Sequence, residues 1–168
     1  SEEDILGIGM LKTASYTVEG PLHMGALLGG AGREDLERLS RYAIPLGNAF
    51  QVRDDILGLF GDAARLGKPL GSDIREGKKT LLILKALEKA DPDQRAFLEQ
   101  MLGNKDVARE EMEEIRRVVV ETGALDACEE MAGKLVEDSR RALAACPWRE
   151  EGVAFLEGAI EFMMERES

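Results

Sequence analysis

Apolar positions recur at helical spacing along most of the chain. Between residues 33 and 60 they follow one another at intervals of three and four residues: Leu36, Leu39, Ala43, Leu46 and Phe50. This spacing places side chains on one face of an α-helix. The alternation of apolar and polar residues that is typical of β-strands is hard to find. The pattern therefore predicts an all-α fold.

Capping residues and helix breakers divide the remainder into further helices. Asp91 followed by Pro92 is a typical helix start, because Asp caps the first turn and Pro is tolerated there. In the first thirty residues, Gly20-Pro21 interrupts the pattern and predicts two helical pieces joined by a kink. The periodicity predicts five later helices, over residues 80–90, 93–102, 107–121, 123–145 and 149–166. We interpret residues 1–168 as a single helical domain.

Between residues 61 and 79 the helical pattern stops. Four glycines and a proline punctuate this stretch, at positions 61, 67, 69, 71 and 77. A non-helical connection of this length in a compact domain is usually either functional or disordered. The segment is therefore the first place to look for a binding site.

Composition narrows the class of partner. The chain has 168 residues, with 44% hydrophobic and 33% charged residues, and its net charge is −11. The acidic balance argues against nucleic acid as the main partner, since neutralising phosphates needs a basic face. We find no run of about 18 uncharged apolar residues, so no transmembrane segment is expected. Two cysteines without metal or disulfide spacing indicate a reducing, cytoplasmic location.

An adjacent acidic pair, Asp54 and Asp55, lies near the end of the segment 33–60. Gln51 precedes the pair by three and four residues, so the three side chains share one helical face. Adjacent carboxylates repel each other, and the repulsion grows as solvent is removed. Magnesium suits such a pair, because it accepts one or two carboxylates and takes its other ligands from water and phosphate. The pair predicts a Mg²⁺ site.

The following segment supplies the opposite charge. Lys68, Arg75, Lys78 and Lys79 are interspersed with glycines, which let a backbone approach an anion closely. The last two lysines lie where the next helix begins, and a helix N-terminus favours anions. Each feature alone is more often an ordinary solvated surface. Their combined order predicts a metal–diphosphate site, and it does not match the spacing of a nucleotide-binding P-loop.

This order of motifs resembles the second aspartate-rich region of trans-isoprenyl diphosphate synthases, the family of farnesyl and geranylgeranyl diphosphate synthases. The resemblance rests on Phe-Gln-x-x-Asp-Asp-Ile-Leu at 50–57, Gly-Asp at 61–62, Leu-Gly-Lys-Pro at 66–69, Gly-Ser-Asp-Ile at 71–74 and Glu-Gly-Lys-Lys-Thr at 76–80. Upstream, Lys12-Thr13 is similar to a Lys-Thr pair on an earlier helix of that fold. The specific matches end at Thr80; beyond it only the helical character agrees.

The resemblance implies a fold, an activity and a set of residue roles. The fold is the C-terminal half of an isoprenoid-synthase-type helical bundle. The activity is the Mg²⁺-dependent, head-to-tail condensation of isopentenyl diphosphate with an allylic prenyl diphosphate, to give a product such as geranylgeranyl or farnesyl diphosphate. It implies that the allylic diphosphate is bound by Lys12, Thr13, Gln51, Lys68 and Lys78. It further implies metal-site roles for Asp54, Asp55 and Asp73, with Asp54 the direct ligand; we place Asp54, Lys68 and Lys12 in the catalytic group.

Two departures from the family pattern matter. Gly58 stands where the motif usually has a third aspartate, and Asp54-Asp55 is the only adjacent aspartate pair in the sequence. The family's first aspartate motif, and the segments that bind isopentenyl diphosphate, are therefore not found. We expect the isolated chain to be inactive and to need a missing N-terminal half or a partner subunit, as a homo- or hetero-oligomer. The absence of an initial Met is consistent with a fragment or a split-gene product.

Two other functions remain open at this point. A non-catalytic helical subunit or regulatory binding protein could share the fold, although a scaffold has no need for this set of polar residues. A terpene cyclase would share the metal chemistry, but its second metal motif is not found. Among the remaining residues, His23 is interpreted as a packing residue, and Phe155, Phe162 and Met163-Met164 are interpreted as core.

Overall fold

The computed structural model describes the backbone of residues 10–61 and 70–164, and the side chains from residue 14 onwards within those ranges. The first element is a π-helix, Met10–Glu19. Within these ranges eight α-helices follow: α1 Gly20–Leu28, α2 Arg33–Phe60, α3 Ser72–Arg75, α4 Leu81–Lys89, α5 Pro92–Met101, α6 Arg109–Glu121, α7 Ala124–Ala144 and α8 Glu150–Met164. Over the described ranges no strand forms, which confirms the all-α prediction.

The chain groups into two compact units. Among the described residues, the central unit is built from 52–61 and 70–130, and the terminal unit from 10–51 together with 131–164. One boundary falls inside α2 and the other inside α7. Whether residues 1–168 act as one domain stays a prediction.

The terminal unit is organised around Tyr42, which is 1% exposed. Its hydroxyl donates a hydrogen bond to the carbonyl oxygen of Leu156 at 2.7 Å. The hydroxyl of Ser139 in turn donates to the carbonyl oxygen of Tyr42 at 2.8 Å. These two bonds tie α2 to α8 and to α7, and they satisfy polar groups in an otherwise apolar core.

The central unit buries one face of each of its longer helices. Leu81, Leu82 and Ile83 of α4 are almost fully buried. Asp91 caps α5, and its side chain accepts the backbone N–H of Gln94 at 2.8 Å. The predicted start of that helix is therefore confirmed.

The π-helix gives way to α1 at Gly20, so the two helical pieces predicted around Gly20-Pro21 are present. The kink between them stays a prediction. Helix α1 is strongly apolar in sequence, yet none of its residues is buried. Met24, Leu27 and Leu28 are all exposed. Leu22 and Ala26 of the same helix pack against the core, whereas the exposed side chains form an apolar surface of the kind that packs against a partner.

Two of the residues interpreted as core are not buried in this structure. Phe155 and Phe162 are 74% and 75% exposed, whereas Met163 and Met164 are packed against the core. Helix α8 carries two apolar stripes. The stripe through Leu156 and Ile160 faces the core, and the two phenylalanines, seven residues apart, form the other stripe. Periodicity identifies both stripes but cannot say which one is covered.

A one-turn helix, α3, lies within the stretch that was predicted to be non-helical. It starts after Gly71 and is followed by Gly77, both at φ near +71°. These left-handed positions allow the chain to reverse at each end of a single turn. Among the described residues, no helix is long and apolar enough to cross a membrane.

Candidate metal–diphosphate site

Helix α2 carries three of the predicted site residues, Gln51, Asp54 and Asp55. The structure therefore confirms that this part of the motif is helical. Both aspartates are partly exposed rather than fully buried. Partial exposure leaves a carboxylate accessible to a hydrated cation such as magnesium.

Asp55 links α2 to the start of α4. Its Oδ2 accepts the backbone N–H of Leu81 at 3.4 Å. The side chain of Thr80 accepts the backbone N–H of Ile83 at 3.4 Å and caps the same helix. The first turn of α4 has N–H groups without helical partners, so these two acceptors stabilise it. As a result, the N-terminus of α4 is held beside the acidic pair.

Lys78 lies two residues before this cap and is paired with two carboxylates. Its Nζ is 2.8 Å from Oδ1 of Asp73 and 2.7 Å from Oε2 of Glu76. The hydrogen bond to Asp73, followed by that to Glu76, raises the pKa of Lys78 above its ordinary value. Lys78 is therefore firmly protonated, but an anionic ligand has to compete with both carboxylates for it.

The turn that carries Asp73 is fixed by hydrogen bonds within the central unit. The backbone N–H of Gly71 donates to the carbonyl oxygen of Gly58 in α2 at 2.8 Å. The guanidinium of Arg75 donates to the carbonyl oxygens of Leu70 at 2.7 Å and Val107 at 3.3 Å. Asp73 is thereby held close to α2. Gly58, where the family usually has an aspartate, contributes its carbonyl group to this anchoring.

A small cavity of about 10 Å³ lies between these elements. Asp55, Asp73 and Thr80 line it together with Gly58 and Gly71. The volume is close to that of a single water site. The structure thus brings Asp55 and Asp73 to the lining of one small cavity.

For three of the predicted site residues, the structure does not describe the side chain. Lys68 lies outside the described residues. The backbones of Lys12 and Thr13 lie in the π-helix, but their side chains lie outside the described part of the structure. The roles assigned to all the site residues stay predictions: Lys12, Thr13, Gln51, Asp54, Asp55, Lys68, Asp73 and Lys78.

The carboxylate groups near the end of α2 suit a magnesium ion. For side chains in 14–61 and 70–164, no group of three or more His, Cys, Asp or Glu residues is arranged to hold a metal ion. What is present is an Asp-Asp pair with a supporting aspartate and a lysine nearby. Such a set suits a cation that takes most of its ligands from water and phosphate oxygens.

One contact within the terminal unit was not predicted from the sequence. Gly47 of α2 lies against Ala14 of the π-helix, and an added Cβ on Gly47 would be 2.4 Å from the Cα of Ala14. Ala14 is fully buried. The only sequence signal was a glycine in the middle of a helix, which on its own is a weak one.

His23 bridges α1 and α2. Its Nε2 is 3.0 Å from the carbonyl oxygen of Leu36 and 3.0 Å from the hydroxyl of Ser40. These contacts agree with a packing role rather than a catalytic one.

Comparison with known proteins identifies the family of the chain. The sequence model of the polyprenyl synthetase family matches residues 1–119. The chain belongs to the polyprenyl synthetase family. The match includes the π-helix, the acidic pair in α2 and the segment that leads into α4.

Two curated relatives define the extent of the similarity. Geranylfarnesyl diphosphate synthase of Aeropyrum pernix is 35% identical over 164 residues, which cover 97% of this chain and 50% of that protein. A short chain isoprenyl diphosphate synthase of Methanocaldococcus jannaschii is 43% identical over 112 residues, 67% of this chain and 34% of that protein. The chain thus spans between a third and a half of the length of these relatives.

Superposition on a solved structure compares the fold directly. The geranylgeranyl pyrophosphate synthase of Corynebacterium glutamicum, complexed with isoprenyl diphosphate and magnesium, superimposes with a TM-score of 0.92 at 35% identity. The superposition covers 99% of this chain and 47% of that one. The isoprenyl synthase fold of the polyprenyl synthetase family is therefore confirmed for this chain.

Proposed function

We propose that this chain provides the second aspartate motif of a Mg²⁺-dependent trans-prenyltransferase that joins isopentenyl diphosphate head to tail to an allylic prenyl diphosphate. The observation that carries the proposal is the contact between Asp55 and the backbone N–H of Leu81. It holds a helix N-terminus, preceded by Lys78 and Lys79, beside the Asp54-Asp55 pair. Carboxylates for a metal and cationic groups for phosphate oxygens thereby lie within one unit.

Each residue has a distinct part in the proposed site. Asp54 is the direct metal ligand, while Asp55 and Asp73 orient water and neighbouring groups around it. The diphosphate-binding residues are Lys12, Thr13, Gln51, Lys68 and Lys78. Magnesium, when bound, would supply positive charge that stabilises the diphosphate as a leaving group. The lysines and the N-terminus of α4 add fixed positive charge at the same place.

We further propose that a second polypeptide segment completes the enzyme, either joined to this chain or as a partner subunit. The sequence holds a single adjacent aspartate pair, so the first aspartate motif and the isopentenyl diphosphate site would come from that segment. The exposed apolar side chains of the terminal unit support this proposal. They lie on the π-helix, on α1 and on α8: Tyr16, Met24, Leu27, Leu28, Phe155 and Phe162.

The test is to measure turnover and diphosphate binding separately. Turnover is assayed with isopentenyl diphosphate, an allylic diphosphate and magnesium, for the chain alone and with a polypeptide that covers the part of the A. pernix enzyme it does not match. We expect activity only in the mixture. Efficient product formation by the chain alone would contradict the proposed need for a second segment.

Binding of magnesium and inorganic pyrophosphate to the chain alone tests the site itself. Asp54→Asn should weaken magnesium-dependent binding and lower turnover in the mixture about a hundredfold. Asp106→Asn is the matched control, because Asp106 is an exposed aspartate of the same unit. If both variants behaved like the wild type, Asp54 would not be a metal ligand. Magnesium-dependent binding without turnover in the mixture would favour the regulatory alternative.

A further inference from the structure

The π-helix and α2 touch backbone to backbone at Ala14 and Gly47. An ideal Cβ on Gly47 would lie 2.4 Å from the Cα, 2.7 Å from the Cβ and 3.1 Å from the backbone nitrogen of Ala14. Two of these three atoms belong to the backbone. A side chain at position 47 therefore cannot be accommodated by a rotamer change, and one of the two helices has to move.

The contact adjoins the residues proposed to hold the diphosphate. Ala14 directly follows Lys12 and Thr13, and Gly47 lies one helical turn before Gln51. All of these residues belong to the terminal unit. The separation of the π-helix from α2 at this point therefore sets how far the backbone of Lys12 and Thr13 is from the turn that carries Gln51.

We infer that Gly47 is a positioning residue for the diphosphate site. Its missing side chain lets the π-helix approach α2 closely enough for the Lys12-Thr13 backbone and Gln51 to act on one diphosphate. The inference rests on the proposed function, since it assumes that these three residues bind the same group. It goes beyond that proposal because it assigns a role to a residue that touches neither metal nor phosphate.

A simpler interpretation is that Gly47 serves only the packing of the terminal unit. The two interpretations differ in what they predict for a folded variant. A packing residue affects stability, whereas a positioning residue also affects ligand affinity in molecules that remain folded. Misplacing a binding group by about 1 Å can cost roughly a hundredfold in an enzymatic reaction.

The experiment measures the binding of inorganic pyrophosphate with magnesium by calorimetry, at a temperature where circular dichroism shows each variant to be folded. Gly47→Ala should weaken binding by roughly tenfold to a hundredfold. Gly133→Ala is the matched control, because Gly133 is a helical glycine of the same unit with nothing within 4 Å of an added Cβ. It should bind like the wild type.

A second control separates affinity from stability. Tyr42→Phe removes the buried hydrogen bond to Leu156 and should lower the melting temperature while leaving pyrophosphate affinity unchanged. Should Gly47→Ala fail to fold, Ala14→Ser probes the same contact from the other side with one added atom. It too should weaken binding while circular dichroism remains that of the wild type.

The outcomes distinguish the inference from the function on which it rests. If the wild type shows no magnesium-dependent pyrophosphate binding, the proposed function fails, and the inference fails with it. If the wild type binds and a folded Gly47→Ala or Ala14→Ser binds equally well, the inference alone is overturned. The same holds if Tyr42→Phe loses as much affinity as Gly47→Ala, because affinity would then simply follow stability.

Discussion

Asp55 accepts the backbone N–H of Leu81 through its Oδ2 at 3.4 Å, so one member of the acidic pair serves as a cap for the next helix. The adjacent carboxylate, Asp54, is the one we assign to the metal. The two aspartates of the motif therefore have different tasks despite their identical chemistry. One fixes the N-terminus of α4 next to the site, and the other is the proposed ligand of the cation.

This division predicts different consequences for the two aspartates. Asp55→Ala should lower the free energy of unfolding of the central unit by about 1 kcal/mol, as expected for the loss of a helix-capping side chain. Asp54→Asn should instead remove magnesium-dependent pyrophosphate binding. Urea unfolding and calorimetry measure the two effects. Equal loss of stability in both variants, with binding retained, would show that the assignment is wrong.

The pairing of Lys78 predicts a variant with improved binding. Lys78 is shared between Asp73 and Glu76, and the side chain of Glu76 is 58% exposed. Exposed ion pairs contribute about 0.2–1 kcal/mol, so removing one competitor should strengthen pyrophosphate binding by roughly 1.4-fold to fivefold. Glu76→Gln makes this change, and Glu88→Gln, on the exposed side of α4, is the control. An unchanged affinity in Glu76→Gln would mean that Lys78 does not contact the ligand.

Removing the lysine itself should have the opposite effect. Lys78→Ala should weaken magnesium-dependent pyrophosphate binding, because the ligand loses a cation that precedes the N-terminus of α4. Lys89→Ala, at the other end of the same helix, should change affinity little. Calorimetry at two salt concentrations adds a second measure, since loss of a cationic contact should also reduce the salt dependence. Equal losses in both lysine variants would indicate a general charge effect instead of a site.

The prediction from sequence was most accurate where one helix contained both regularly spaced apolar residues and the candidate site residues. The predicted segment 33–60 coincides with α2, because its apolar positions keep helical spacing to the end. The π-geometry of Met10–Glu19 was not predicted, since ten residues are too few to separate two helical periods. The pairing of Lys78 with Asp73 was not predicted either, because it depends on the left-handed turn at Gly77 and not on helical spacing.

Contacts between distant segments are the part that periodicity cannot supply. The approach of Gly47 to Ala14 joins residues far apart in the sequence, and neither residue carries chemistry that would draw attention. The exposure of Phe155 and Phe162 has a related cause. Apolar spacing indicates which side chains favour burial, but whether another element covers them depends on the tertiary arrangement.

Because Tyr42 is buried, the free energy of unfolding should depend on pH under alkaline conditions. Burial, together with the negative charge of Glu157, raises the pKa of Tyr42 to about 12, from an ordinary value of 10.0. Because the folded-state pKa is the higher one, the neutral phenol stabilises the fold. This contribution is fully present below pH 10 and is lost as the pH rises towards 12. The wild type should therefore lose stability in this range through Tyr42.

The comparison with Tyr42→Phe isolates this effect from the ionisation of other groups. At neutral pH the variant should be less stable by about 1–2 kcal/mol, because the hydrogen bond to Leu156 is lost. The difference in unfolding free energy between wild type and variant should then shrink from pH 10 to pH 12, since the variant has no phenol to ionise. Urea unfolding at several pH values measures it. Tyr16→Phe is the control, because Tyr16 is 82% exposed and its difference from the wild type should stay constant. A constant difference for Tyr42→Phe would show that Tyr42 ionises as readily in the folded protein as in the unfolded chain.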